Sequence, residues 1–356
     1  MEEAKAKLGE MEASAGELKA SFEPEPTALV PWMQALFALV DGGVSTLDVT
    51  PVAYPHAALR PLMTADNVNS IYDGAEKVLG KFLARYKLER GAGKVQVLVR
   101  LLPNIFADSY SPGETLEPLV DKIRANVFGA DAPDALDLVQ LAWLDAAGRD
   151  PVPTLRKLAA LAEDKIEVNE ESGEVTVTEP KKIKAVGLVD FPYDAVLKVL
   201  QAGLVPASLS LVYGLADASA HKTVALCAKY GIKVFARGVL MGGLIAEKYV
   251  GAPRPSPIEP DADLPSVPVA VDYYEAYGGW TKTQGLLRAV KAVAVKHGVS
   301  MRTVAVRWAV DQAVIPLVPI DWAAGTAQAL DEKLTDAPTF LDAADVAALA
   351  AVVRTA

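Results

Sequence analysis

Short apolar runs alternate with amphipathic helical segments along almost the whole chain, and this rhythm constrains the fold more than any other feature. Strands are expected at 44–48 (VSTLD), 95–102 (VQVLVRLL), 136–142 (LDLVQLA), 183–189 (IKAVGLV), 208–213, 232–236 and 314–318. Between them, helical spacing of apolar residues predicts helices at 73–90, 115–128, 153–164, 193–202, 219–230, 281–297 and 300–312; Ala75, Val78, Leu79, Phe82 and Leu83 set the first of these. Strands that are apolar on both faces need helices above and below, so they read as a parallel sheet in an α/β protein. Counting a first strand near Glu17–Phe22 brings the number to eight, with no break in composition between halves. That pattern favours a closed (β/α)8 TIM barrel in a single domain, 32–356, behind an N-terminal extension, 1–31. No Gly-x-Gly-x-x-Gly follows any strand, so the open dinucleotide-binding sheet lacks its phosphate loop.

Charge and residue counts remove several function classes. With 35 basic against 45 acidic side chains the net charge is −10, the wrong sign for displacing counterions from nucleic acid. Cys227 is the single cysteine and the three histidines (His56, His221, His297) are never spaced as ligands, so no metal site is expected. His221 and His297 read as surface or cap residues at helix ends. The apolar stretch Ala28–Val40 holds 13 residues, short of the roughly 20 needed to span a bilayer. The opening MEEAKAKLGEMEASAGELKASF is acidic and has no apolar signal core. A soluble, cytoplasmic protein is the expectation.

Two segments interrupt the rhythm. Residues 166–178 (IEVNEESGEVTVT) alternate apolar and polar about Ser172-Gly173, the signature of an inserted hairpin. The acidic run Glu167–Glu179 reads as a solvated surface on which a basic protein partner could dock. Residues 251–268 (GAPRPSPIEPDADLPSVP) are proline-rich and read as an extended surface loop.

Six segments in order, DGGVSTLD, IYDGAEKVLGKFL, LDLVQLAW, IKAVGLVDF, GIKVFARGVLMGGLIAEKYVG and the run from YGGWTKTQ to RWAVDQ, resemble the aldo-keto reductase family over roughly residues 32–335. The resemblance implies a (β/α)8 barrel that binds NADPH across the C-terminal ends of its strands and reduces carbonyls with an aspartate, a tyrosine, a lysine and a histidine. In that chemistry the tyrosine gives a proton to the developing alkoxide, and the lysine, paired with the aspartate, lowers the tyrosine pKa. The histidine donates a hydrogen bond that polarises the carbonyl.

Carried onto this chain, the resemblance keeps the aspartate as Asp48 and puts Arg100 at the lysine position, in VLVRLLPN. A guanidinium keeps the charge but is a planar fork that does not replace an ammonium freely. The tyrosine is displaced: Tyr54 lies next to Pro55, and Tyr72, in the better context IYDGAE, lies 24 residues after Asp48. An insertion of about 18 residues, with Pro51, Pro55 and Pro61, splits the motif. We take Tyr72 as the catalytic tyrosine, with Tyr54 the alternative. The histidine position is Ala142, which can neither donate nor polarise. His56, in the insertion, is a candidate substitute.

On the cofactor side the resemblance implies roles for Asp190 (GLVDF, after Val189), for Tyr213 as the ring stacked on nicotinamide, and for Leu240 and Gly243 in the pyrophosphate loop. Gly242 keeps the loop shape, and Arg237 stands where an aromatic is usual. Near the last strand, where the family grips a 2′-phosphate, this chain has Pro319 and Asp321, and an acid there repels phosphate. Losses at separate subsites lead to the main expectation: an aldo-keto-reductase-like pseudoenzyme with weakened or lost NADPH-dependent reductase activity, acting as a binding, regulatory or structural component. The alternative is an active NAD(P)H-dependent reductase that transfers hydride to a small aldehyde or ketone.

Overall fold

The computed structural model describes residues 31–41, 43–49, 65–91, 95–101, 112–130, 134–143, 150–168, 172, 175–255, 267–318 and 339–353. The chain falls into two compact units: one runs to Phe191 and takes in Lys198–Ala207, the other holds Pro192–Leu197 and continues from Ser208.

In the first unit, strands β1 (Thr46–Val49), β2 (Gln96–Leu101), β3 (Leu138–Ala142) and β6 (Val186–Val189) form a parallel sheet in that order. β2 and β3 are buried along almost their full length, as their continuous apolar runs require. Helices Pro31–Asp41, Ala65–Arg90, Pro112–Phe128 and Val152–Ala160 accompany them. Phe37, Phe82 and Tyr86 interlock with ring centroids 5.2–5.5 Å apart and join the first two helices. Gly80 lets the second and third helices meet, because a Cβ there would lie 2.5 Å from the Asn126 carbonyl oxygen.

β4 (Lys165–Val168) and β5 (Val175–Glu179) form the inserted antiparallel hairpin that the alternation at 166–178 predicts. Lys182 ties its base down, bonding Glu117 at 2.6 Å and Asp121 at 2.8 Å.

In the second unit, β7 (Ser208–Val212), β8 (Lys233–Arg237) and the short β9 (Ile315–Pro316) are parallel neighbours. Helix Trp280–His297 ends at Gly298, whose left-handed φ of 62° closes it. Helix Met301–Asp311 starts from the Ser300 cap. Helix Ala343–Ala350 starts from a capping box made by Asp342 and Asp345.

The structure changes four boundaries. The helix expected at 73–90 begins at Ala65; Val68, Ile71 and Tyr72 continue the spacing of Ala75, Val78 and Leu79 toward its N-terminus. The helix expected to 164 stops at Ala160; the Leu161 carbonyl instead accepts the amides of Lys182 and Ile183, which turns the chain toward the hairpin. β9 is two residues rather than five, since Pro316 has no N–H to continue the ladder. Residues Val267–Tyr277 form a helix that the proline-rich reading of 251–268 obscured. Pro268 sits in its first turn, where a missing N–H costs nothing. The strand expected near Glu17–Phe22 lies outside the described residues.

Candidate functional site

β2 carries a single charge, Arg100, within its buried stretch. Arg100 sits among Val97, Leu98, Val99 and Leu101, all buried. Such a side chain is tolerated only when paired, and β1 supplies the partner. Asp48 is in register with Leu98, one strand over, and the Arg100 guanidinium donates to its carboxylate at 2.7 Å. The two side chains are 3% and 14% exposed. Sequence reasoning had put these two residues at neighbouring strand ends, and the structure brings them together.

The next strand continues the same face. Arg100 is in register with Gln140, which is fully buried. Side chains alternate along a strand, so Ala142 follows Gln140 on that face. Ala142 is 2% exposed and pairs with Val189 on β6. At these two strand ends the side chains are a methyl group and an isopropyl group. β3 (LVQLA) and β6 (VGLV) contain no ionisable side chain. Asp190 follows β6 with a φ of 56°, a left-handed conformation that Asp and Asn accept more readily than most residues.

Tyr72 lies in the second turn of helix Ala65–Arg90 rather than before its start. Its side chain, Tyr54, His56, Pro319 and Asp321 all lie outside the described residues.

In the second unit, Tyr213 directly follows β7 and is 4% exposed. Its ring stacks on Trp308, centroids 5.8 Å apart and planes 25° apart, and burial raises its pKa. The loop after β8 has three successive positive φ values: Met241 at 54°, Gly242 at 66° and Gly243 at 100°. Four of its amides donate within the loop. Met241 donates to Gly238, Gly243 and Ile245 to Leu240, and Leu244 to Met241. Helix Val267–Tyr277 lies against the same loop. A Cβ on Gly242 would come within 3.0 Å of the Ala270 Cα, and one on Gly238 within 2.5 Å of the Tyr273 hydroxyl. Two of the glycines in GVLMGGL are therefore required by this helix.

Sequence reasoning missed a polar cluster at the C-terminal helix. Lys296 bonds Asp342 at 2.6 Å and Asp345 at 2.8 Å, and the His297 Nε2 lies 2.7 Å from Asp345. His297, read from the sequence as a surface or cap residue, is thus part of the anchor for helix Ala343–Ala350. The spacing of Asp342 and Asp345 ahead of an apolar run was the available signal. His221 is the exposed first residue of helix His221–Lys229, as expected of a helix end. Cys227 is buried, and burial pushes its thiol up to about 11, which fits a core residue. Among the described residues no group of three or more histidine, cysteine, aspartate or glutamate side chains is placed to hold a metal. No described helix is long and apolar enough to cross a membrane.

The sequence profile of the aldo/keto reductase family matches residues 32–353. Flagellar radial spoke protein 5 of Chlamydomonas reinhardtii is 42% identical, over 94% of this chain and 70% of that protein. Among solved structures, the glycerol dehydrogenase AKR11B4 of Gluconobacter oxydans superposes with a TM-score of 0.62 at 18% identity, covering 90% of this chain and 84% of that one. The aldo-keto reductase AKR2E5 complexed with NADPH gives 0.59 at 14% identity, over 93% and 80%. At those identities the structural likeness speaks for the fold alone, the α/β barrel that the strand and helix rhythm predicts.

Proposed function

Since this chain belongs to the aldo/keto reductase family, we propose that it is a member whose carbonyl reductase activity is weakened or lost and which serves as a structural or binding component of a protein assembly. The observation that carries this reading is Ala142, buried at the end of β3 beside the closed Asp48–Arg100 pair. A methyl group there supplies neither the hydrogen bond to a carbonyl nor a proton. Such a donor contributes roughly 10²–10³-fold to a rate.

The residues on the cofactor side support the same reading. A pyrophosphate needs free N–H donors and close backbone approach. Four amides of the 238–245 loop already donate within the loop, and helix Val267–Tyr277 packs on its glycines. This internal bonding and packing support a weakened grip on a dinucleotide, and the proposed role calls on neither NADPH nor a small carbonyl substrate. The name of the Chlamydomonas relative suggests the setting: a place in a flagellar radial spoke rather than free in the cytoplasm. Purified protein should show no NADPH oxidation with a panel of aldehydes, ketones and quinones. Turnover with any of them at the rate of an ordinary enzyme, about 1–10³ per second, would refute the proposal.

The second reading, an active NAD(P)H-dependent reductase, is favoured by the intact 2.7 Å Asp48–Arg100 contact. In it, Arg100 and Asp48 would bias a tyrosine hydroxyl, from Tyr72 or Tyr54, toward proton donation. Tyr72→Phe would then abolish activity. Activity that survives in that variant would move the role to Tyr54.

A further inference from the structure

Helix His221–Lys229 turns one face to the core and the other to solvent. Thr223, Leu226 and Cys227 are buried, while Lys222, Ala225, Ala228 and Lys229 are exposed. Lys222 and Lys229 lie two turns apart on one stripe, about 10 Å along the axis, and Ala225 sits between them. The turn that follows adds Tyr230, which is 42% exposed, and Lys233, the exposed residue that opens β8. The Lys229 Nζ lies 5.7 Å from the centre of the Tyr230 ring.

The charge of this element is the reverse of the chain's. Acids outnumber bases 45 to 35 overall, yet no aspartate or glutamate occurs between Asp217 and Glu247. Those two acids are engaged by backbone amides, Asp217 by that of Ser219 and Glu247 by that of Met301. Among the described residues no carboxylate forms an ion pair with Lys222, Lys229 or Lys233. The helix itself gains nothing from Lys222, since a cation in the first turn opposes the helix dipole.

Two ammonium groups two turns apart over a floor of alanine match a second helix that carries carboxylates at the same interval. Ala225 and Ala228 let the backbone of such a helix come close. The net charge of −10 repels an acidic helix from the surface at large, so its binding depends on this stripe.

We propose that the outer face of helix His221–Lys229, with Tyr230 and Lys233 at its end, is a docking surface for an acidic amphipathic helix of a partner protein. The family resemblance gives none of these residues a part in catalysis or cofactor binding, so the surface serves whether or not the barrel reduces carbonyls.

The test uses the full chain and three labelled helical peptides of equal length and one Ala-Leu scaffold. They carry glutamate, glutamine or lysine at every seventh position, and binding is read by fluorescence anisotropy. The glutamate peptide should bind at least about tenfold tighter than either of the others, a difference of about 1.4 kcal/mol. Its affinity should fall as salt rises from about 0.05 M to about 0.5 M, because the lysines are solvent-exposed. Lys222→Glu with Lys229→Glu should bring glutamate-peptide binding down to the glutamine level. Lys77→Glu with Lys87→Glu, at exposed positions of helix Ala65–Arg90, should leave it unchanged. Attraction by net charge alone would favour the lysine peptide, and that ranking would overturn the proposal. So would equal affinity for the glutamate and glutamine peptides, or no binding of the glutamate peptide up to about 1 mM. Binding lost in the Lys77/Lys87 variant and kept in the Lys222/Lys229 variant would overturn it too, as would sedimentation showing a wild-type dimer that the Lys222/Lys229 variant loses. The ranking of the peptides on the wild type decides the matter even if a variant fails to fold.

Discussion

The strand ends of the first unit and the loop after β8 in the second unit carry the positions that the family resemblance marks, and they are built in different ways. In the first, a charge pair and apolar side chains sit on parallel strands in register. Asp48 and Arg100 meet at 2.7 Å, while Ala142 and Val189, at the ends of β3 and β6, carry no side-chain donor. In the second, the glycines persist while what they touch is the protein itself: Gly238 and Gly242 accommodate Tyr273 and Ala270, and the loop amides bond inward. One region keeps a charge pair without the rest of its chemistry. The other keeps a motif whose structural use is packing. A glycine that packing needs is thus held in place whatever else its loop does.

The first way to break this comparison is to ask whether Asp48–Arg100 is now structural. Asp48→Ala leaves a guanidinium buried without its carboxylate and should cost about 3–5 kcal/mol in urea unfolding. Adding Arg100→Met should recover most of that loss, since a well-packed apolar residue can replace a buried pair. If Asp48→Ala is silent, the pair is not holding the fold. The loop makes the next largest claim. Gly242→Ala forces a Cβ onto a φ of 66° and to within 3.0 Å of the Ala270 Cα, and should lower stability by about 1–3 kcal/mol. The paired change Tyr273→Ala should ease a Gly238→Ala variant more than a Gly242→Ala variant, because Tyr273 lies nearest to Gly238.

A smaller effect is expected at the C-terminal helix. Burial pushes the Asp345 carboxyl up, but the bonds from Lys296, His297 and the Asp342 amide outweigh it and hold it well below the ordinary 3.8. The Lys296 bond lowers Asp342 as well. A carboxylate depressed in the folded state stabilises fully above its unfolded pKa and loses that contribution as pH falls through the folded one. Stability should therefore decline as pH drops below about 4. Asp345→Asn should remove that acid limb at a cost of about 1–2 kcal/mol at neutral pH. An unchanged pH profile in this variant would contradict the assignment. The smallest effect belongs to the hairpin. Replacing Ile166, Val175 and Val177 by threonine should change stability by less than about 0.5 kcal/mol, because all three side chains are more than half exposed.

Much of the fold was legible in the sequence, because strands buried on both faces read as unbroken apolar runs such as VQVLVRLL and LDLVQLA. The hairpin at 165–179 was legible from its alternation and its Ser-Gly turn. The N-terminal reach of helix Ala65–Arg90 was legible too, since Val68, Ile71 and Tyr72 continue the apolar spacing of its later turns. Helix Val267–Tyr277 was masked by the prolines that precede it. At the site, the meeting of Asp48 with Arg100 followed from their places on adjacent strands. The inward bonding of the 238–245 loop could not be read, because backbone hydrogen bonds leave no mark on residue identity. The anchor formed by Lys296, His297, Asp342 and Asp345 joins residues about fifty positions apart, beyond the reach of local patterns.

The central claim is that this barrel no longer takes a nicotinamide dinucleotide. Titrating the purified chain with NADPH and with NADH, following the emission of its five tryptophans and checking by calorimetry, tests it most directly. The account predicts no saturable signal from either nucleotide up to millimolar concentration. Saturable binding in the micromolar range would contradict it and return the chain to the working reductases.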